Sequence, residues 1–343
     1  MTAGLLLLTD GFLVPSAVKA SFQKLLPFAA PLPDSFYRFE AQIESADPSD
    51  TNIFFIGSSQ LREGVDALYL EAGLRQQGPA PIRVKNFGTS SSVSIDQYLQ
   101  LPLVLKKKPE LVVVMNSWRF FYLKYEMVKF KYSTHSLKQV LKAVILYGPA
   151  RFLKDAGDEL PDILCASFFR SFRYIRLYRI PEIAQRYMQA KDKNRAPRWY
   201  AYGEARAPEA QIEKYAGMQI EITEAAEIKK RFFVKMIRDL KVSGARVLVV
   251  EAPYHPRVEA KTNRAAGAWP EYENFMRQTA RELDFEYISA GDLPVFEEED
   301  FLDTTHLGAA GRRKFSRYLL SLKAFDPWRP ESSGTGSGPL SAG

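Results

Sequence analysis

The sequence is short of the residues that build metal centres and covalent cross-links. It carries one cysteine, Cys165, and three histidines, His135, His255 and His306, among 343 residues. A lone cysteine excludes an internal disulfide, a multi-cysteine zinc site and an iron–sulfur cluster. Three dispersed histidines make a poor ligand set, so no metal is expected, and no organic cofactor is required by anything in the chain. Also missing is any run of the roughly 18 apolar residues that a membrane-spanning helix needs. The opening stretch MTAGLLLLTDGFLVPSAVKASFQKLL has an apolar run at Leu5–Leu8 that Asp10 interrupts, with no basic residue ahead of it. It lacks the layout of a secretory signal, and reads either as the remainder of a membrane anchor or as a short amphipathic lead-in. There is no internal repeat. No nucleic-acid-binding motif accompanies the basic charge, so no nucleic-acid partner is expected.

What is present is an ordinary globular composition, 46% hydrophobic and 25% charged. That length can bury a substantial core as one large domain or two small ones. The net charge of +7 is unevenly placed: residues 120–200 hold 16 Lys/Arg against 7 Asp/Glu. Such a segment favours anionic partners, or is simply a solvated basic face. Within it Arg170, Arg173, Arg176 and Arg179 recur every three residues beside Phe168, Phe169, Phe172 and Tyr174. On a helix this makes a basic stripe next to an aromatic face. Three readings stand: an interfacial helix on an anionic membrane surface, a cradle for an anionic polymer, or a packed helix with its arginines in water.

Five short β-like runs read as strands: Asn52–Ile56, Arg83–Phe87, Leu111–Met115, Arg246–Glu251 and Phe285–Ile288. Helical patterns lie between them at 66–76, 94–107, 223–242, 270–283 and 309–322, with Thr223 a candidate N-cap and Gly244 a candidate stop. Alternating strands and helices predict an α/β fold with a central parallel sheet of about five strands. The segment 120–222 is far longer than a crossover requires and reads as a helical, basic and aromatic insertion at the carboxyl edge of the sheet. The expected organisation is a lead-in over 1–50, an α/β domain over 51–325 interrupted by that insertion, and a Gly/Ser/Pro-rich disordered tail over 326–343.

In open parallel sheets, ligands sit at the carboxyl ends of the strands. There the sequence places Gly57-Ser58-Ser59-Gln60 after the first strand, Gly88 after the second and Asn116-Ser117 after the third. Asp303-Thr304-Thr305-His306 precedes the last helix. A serine needs a base to take its proton, an imidazole needs a carboxylate to hold its tautomer, and an oxyanion needs donors. Ser59, His306 and Asp303 fit the first three roles, and the amides of Ser59 and Gly88 with the Asn116 side chain fit the last. Ser58 competes with Ser59, since spacing alone does not separate neighbours. Ser117 is the alternative donor to Asn116. His255, in EAPYHPRV, either lines the pocket as a substrate-binding residue or occupies a surface turn.

This pattern resembles the SGNH (GDSL-type) hydrolase superfamily, in which a serine follows the first strand, a glycine the second and an asparagine the third. An Asp-x-x-His pair then precedes the final helix. The resemblance covers about residues 50–118 and 244–322, with DTTHLGAAGRRKF its most specific stretch. Two positions depart from the pattern: GDS becomes Gly57-Ser58-Ser59, and the glycine two before the asparagine is Val114. The GSS form looks more like the DltD/AlgX-like extracytoplasmic branch. The resemblance implies a three-layer α/β/α, flavodoxin-like fold, and acyl-ester chemistry through an acyl-serine. It further implies O-acyl transfer or deacylation on a cell-envelope glycan or polymer. A membrane-bound O-acyltransferase partner and an extracytoplasmic, inner-membrane-associated location come with it, against a cytoplasmic alternative. Two other functions stay open: a free-standing esterase or lipase on small or lipid esters, and a non-catalytic polymer-binding or assembly protein.

Overall fold

The strand β1 (Thr51–Gly57) is apolar on both sides, as a strand in the middle of a parallel sheet must be. Its pleat sends Phe54 and Ile56 to one face and Ile53 and Phe55 to the other, and all four are fully buried. The computed structural model describes residues 43, 46–75, 81–89, 92–122, 137–156, 209–216, 224–261 and 268–328. In them β1 joins β2 (Ile82–Gly88), β3 (Leu111–Asn116), β4 (Arg246–Glu251) and β5 (Glu286–Ile288) in one all-parallel sheet. The strand order is β2-β1-β3-β4-β5. The chain therefore steps from β1 to one side, then crosses back to the other, leaving a crevice at the carboxyl ends of β1 and β3.

The helices are α1 (Ser59–Gly64), α2 (Ala67–Leu74), α3 (Ser94–Leu105), α4 (Trp118–Tyr122), α5 (Leu137–Tyr147) and α6 (Pro149–Ala156). They continue with α7 (Glu209–Ala216), α8 (Glu224–Val242), α9 (Pro256–Lys261), α10 (Ala268–Leu283) and α11 (Ala309–Ser321). Helices α3, α8 and α10 pack on the Phe54 side, where Ile95, Leu99, Phe232, Phe233, Met236 and Tyr272 are buried. Helices α2 and α11 pack on the Phe55 side with Leu70, Leu74, Phe315 and Leu319. Each such large apolar side chain contributes roughly 1.5–3 kcal/mol on burial. Helix α8 stops where Gly244 takes φ +88°, as its candidate role required, and Thr223 lies outside the described residues.

The packed region extends past both expected ends of the α/β domain. Ile43 and Ala46 are buried in the Phe54 cluster, and Phe325 and Trp328 close the Phe55 cluster, with Phe325 stacked on Phe55 at 6.4 Å. Helix α11 is tied back to the early chain: Ser316 Oγ accepts from the Asp66 amide at 2.9 Å, and Arg312 donates to Glu63 O. Of the anticipated insertion the structure describes only 120–122, 137–156 and 209–216. The arginines 170, 173, 176 and 179 lie outside the described residues, as do the tail beyond 328 and most of the lead-in. Among the described residues no helix is long and apolar enough to cross a membrane, and no cluster of ligating side chains could hold a metal ion.

Gly311, in the first turn of α11, locks that helix against the loop before it. A Cβ there would lie 2.2 Å from the Asp300 carbonyl oxygen and 2.9 Å from the Leu307 side chain. Gly311→Ala is expected to destabilise by about 2 kcal/mol through overpacking. Gly291→Ala, whose Cβ would meet nothing closer than 3.7 Å, is expected to stay within about 0.5 kcal/mol of wild type. Urea midpoints of the two variants check the contrast.

Candidate active site

Register brings the strand ends level: Gly57 pairs with Gly88 on β2 and with Met115 on β3, and Asn116 pairs with Glu251 on β4. The chain leaves β1 through Gly57, where a Cβ would crowd the Met115 carbonyl at 2.9 Å and Leu61 at 3.0 Å. It then turns directly into α1. Ser58 is the N-cap of that helix, and its Oγ accepts from the Gln60 amide at 3.2 Å. Ser58 is buried, whereas Ser59 is half-buried and opens to the crevice. The two neighbours thus divide the work: Ser58 caps, and Ser59 Oγ lies 2.8 Å from His306 Nε2.

The Asp303–His306 loop is built around the carboxylate. Asp303 Oδ1 accepts the backbone amides of Thr305 and His306 at 2.8 and 2.9 Å, and Asp303 Oδ2 lies 2.7 Å from His306 Nδ1. The neck of the loop is closed by a bridge between Phe301 and Leu307, by Leu302 N–H to His306 O at 2.8 Å, and by Gly308 N–H to Asp300 O at 2.8 Å. Gln60 Nε2 reaches across from α1 to the Thr305 carbonyl at 3.3 Å. Burial would push the Asp303 carboxyl up, but the His306 hydrogen bond and charge, together with the two loop amides, outweigh it and hold the carboxyl below its ordinary 3.8. With Nδ1–H directed at this carboxylate, Nε2 carries the lone pair that faces the Ser59 hydroxyl. The side chains of His306 and Asp303 remain 24% and 35% exposed, so the chain of three is reached from solvent.

The remaining candidates separate. Asn116 ends β3 with its side chain buried, and its Nδ2 has no hydrogen-bond partner among the described residues. The Ser59 amide opens α1, where position alone leaves it without an intrahelical acceptor. Gly88 differs from the expectation. Its amide donates to Asn86 Oδ1 at 2.9 Å, so it is already engaged within the protein. Its lack of a side chain serves packing instead: a Cβ would lie 2.4 Å from the Arg62 amide nitrogen, so only glycine lets α1 sit this close to β2. Ser117 is likewise engaged, its hydroxyl hydrogen-bonded to that of Tyr254. His255 is neither a surface turn nor open to the crevice. It is buried, its Nδ1 accepts from the Arg257 amide at 3.3 Å, and its ring packs on Phe301 at 5.4 Å, two residues from Asp303. Burial pushes its imidazole down, with Glu298 and Asp303 partly offsetting.

Two buried charges that sequence reasoning passes over also belong here. Glu251, at the end of β4, is fully buried. It accepts from the Trp118 amide at 2.7 Å and from the Tyr272 hydroxyl at 2.6 Å, which fixes the turn that leaves Asn116. Lys229 on α8 is 1% exposed and lines a small cavity with Ser58, Ser92, Gln97, Asn116 and Ser117. No protein-family model matches the chain, and no curated protein matches it in sequence.

The carboxylate of Asp303 sets a pH dependence of known sign. Because it titrates lower in the folded than in the unfolded state, its contribution is complete above about pH 4 and is lost as the pH falls through the folded value. The stability gap between wild type and Asp303→Asn is therefore expected to be widest at neutral pH and to narrow in acid. Denaturant melts at intervals from neutrality to about pH 3 read this directly, and a gap that does not narrow would contradict the assignment.

Proposed function

We propose that this protein performs acyl-ester chemistry through a covalent acyl-serine on a three-layer, flavodoxin-like α/β/α scaffold of the SGNH type. The observation that carries the reading is the unbroken chain from Ser59 Oγ to His306 Nε2 and from His306 Nδ1 to Asp303, at 2.8 and 2.7 Å. Hydroxyl, imidazole and carboxylate at these separations are what activation of a serine requires, and binding alone requires none of them. The sheet order β2-β1-β3-β4-β5 supports the scaffold.

In this reading Ser59 Oγ attacks the ester carbonyl while His306 Nε2 takes its proton, and Asp303 stabilises the imidazolium that forms. The Ser59 amide and Asn116 Nδ2 receive the developing oxyanion. Gly88 shapes that pocket by admitting α1 close to β2, its own amide being held by Asn86. His306 returns the proton to the departing alkoxide as the carbon–oxygen bond breaks, leaving acyl-Ser59. Water or a sugar hydroxyl then gives its proton to His306 as it attacks the acyl carbon, and His306 passes that proton to Ser59 Oγ as the acyl–serine bond breaks. The sequence resemblance extends the proposal to O-acyl transfer or deacylation on an acylated cell-envelope glycan or polymer, outside the inner membrane and beside a membrane-bound O-acyltransferase. That extension rests on family analogy, because the fold alone does not select a substrate.

A fluorophosphonate probe followed by peptide mass spectrometry tests the core of the proposal. One adduct on Ser59 is expected, absent in Ser59→Ala and slowed by about 10³-fold or more in His306→Ala. Ser58→Ala is expected to keep the Ser59 adduct while losing about 1 kcal/mol of stability with its cap. An adduct on Ser58 would reassign the nucleophile, and wild type left unlabelled would remove the reading. Turnover of soluble aryl esters by the isolated protein would favour a free-standing esterase over a partner-dependent transferase.

A further inference from the structure

Behind Ser58 and Asn116, where α3, α4 and α8 meet the ends of β1 and β3, the cavity lined by Lys229 has about 10 Å³ of water-accessible space. That is room for about one water. Its walls are polar: Asn116 Nδ2, Ser92 Oγ and Gln97 Oε1 are all buried and have no hydrogen-bond partner among the described residues. Lys229 stands on the core-facing side of α8, in the row that includes Ala226, Phe233, Met236 and Leu240. An apolar side chain would pack there without the desolvation cost of a buried ammonium. The backbone at Lys229 is held in place, since Ser94 Oγ donates to its carbonyl at 2.7 Å and so ties α8 to the first turn of α3. A costly buried cation therefore shares a cavity with Asn116, whose Nδ2 is the side-chain donor proposed for the oxyanion.

Building on the acyl-serine reading, we propose that Lys229 is a positioning residue of the oxyanion pocket, its ammonium acting across the polar cavity on Asn116 and on the charge that develops beside it. A cation held away from solvent acts with little screening, and it needs no reorganisation when the oxyanion forms. Desolvation pushes the ammonium down to about 8, and Asp96 on α3 partly offsets this. It is thus mostly charged at neutral pH and loses its charge under mildly alkaline conditions. The titratable or charged side chains on the elements packed against α8 include Tyr98 on α3, Arg119 and Tyr122 on α4, Lys142 and Tyr147 on α5, Arg246 and Glu251 on β4, and Glu271, Tyr272, Glu273, Arg277, Arg281 and Glu282 on α10. Burial raises the Tyr98 and Tyr122 phenols, so they stay protonated where Lys229 titrates.

Steady-state hydrolysis of p-nitrophenyl acetate by wild type and Lys229→Met, between about pH 6.5 and 9.5, tests the assignment, with fluorophosphonate labelling of Ser59 run in parallel. Methionine keeps the length and removes the charge. The expected result is kcat lower by about tenfold with KM changed by less than about twofold, because the lost interaction acts on the transition state. Wild-type kcat is expected to fall as pH rises through about 8, and Lys229→Met is expected to lack that limb. Equal kcat values with the same pH profile would overturn the proposal. Should Lys229→Met not fold, the wild-type profile decides alone, and a kcat that does not fall by pH 9.5 overturns it. Wild type with neither turnover nor a Ser59 adduct would bring down the acyl-serine reading and this inference together. A labelled Ser59 with an unmoved Lys229→Met profile would bring down this inference alone.

Discussion

The carboxylate of Asp303 meets two demands with two oxygens. Oδ1 accepts the amides of Thr305 and His306 and so curls the backbone, while Oδ2 fixes the imidazole of His306. Backbone and ring are thereby set by one side chain, and the reach of Nε2 to Ser59 follows from the conformation of four consecutive residues. The surrounding contacts hold that unit as a whole. The Phe301–Leu307 bridge closes its neck, Lys314 pairs with Asp300 at 2.8 Å, and buried His255 packs beneath Phe301. These contacts tie the loop to the helix that follows it.

The sheet supplies the other half of the site by bringing strand ends level. Residues at these ends cannot continue the apolar pattern, because the crevice is polar, yet several are buried. Each must therefore find a partner or face a ligand. Glu251 finds the Trp118 amide and Tyr272, and Ser117 finds Tyr254. Asn116, between them, is buried with its Nδ2 left without a hydrogen-bond partner among the described residues.

Much of this is legible in the residues, for identifiable reasons. The strands can be read because continuous apolar runs are the mark of a sheet buried on both faces, and β1, β3 and β4 carry such runs. Ser59, Asp303 and His306 stand out as candidates because their residue types match a known chemistry in a known order. What spacing cannot supply is the division between adjacent serines. That depends on which one caps α1, a six-residue helix too short to leave a periodic signal. Gly88 reads as an oxyanion glycine, but its amide goes to Asn86 and its missing Cβ answers to Arg62, a contact between elements that no local pattern records. Glu251 reads as the polar end of a strand, and Lys229 as one of two adjacent surface lysines. Their burial comes from the helices that cover them, and burial of a charge is invisible until those helices are placed.

The tie between α11 and the early chain has a consequence for how the molecule comes into being. Ser59 and the imidazole beside it are separated by 247 positions. Bringing them together closes a long loop, and the entropy of that closure is expected to place the contact late in folding. As the polypeptide is synthesised, β1, β2 and β3 are complete long before residue 306 exists. Through that interval Ser59 is an ordinary alcohol with no base at hand. On the proposed reading its base reaches it only when α11 docks and completes the hydrophobic cluster around Phe315 and Phe325, so the nascent chain would carry no activated serine.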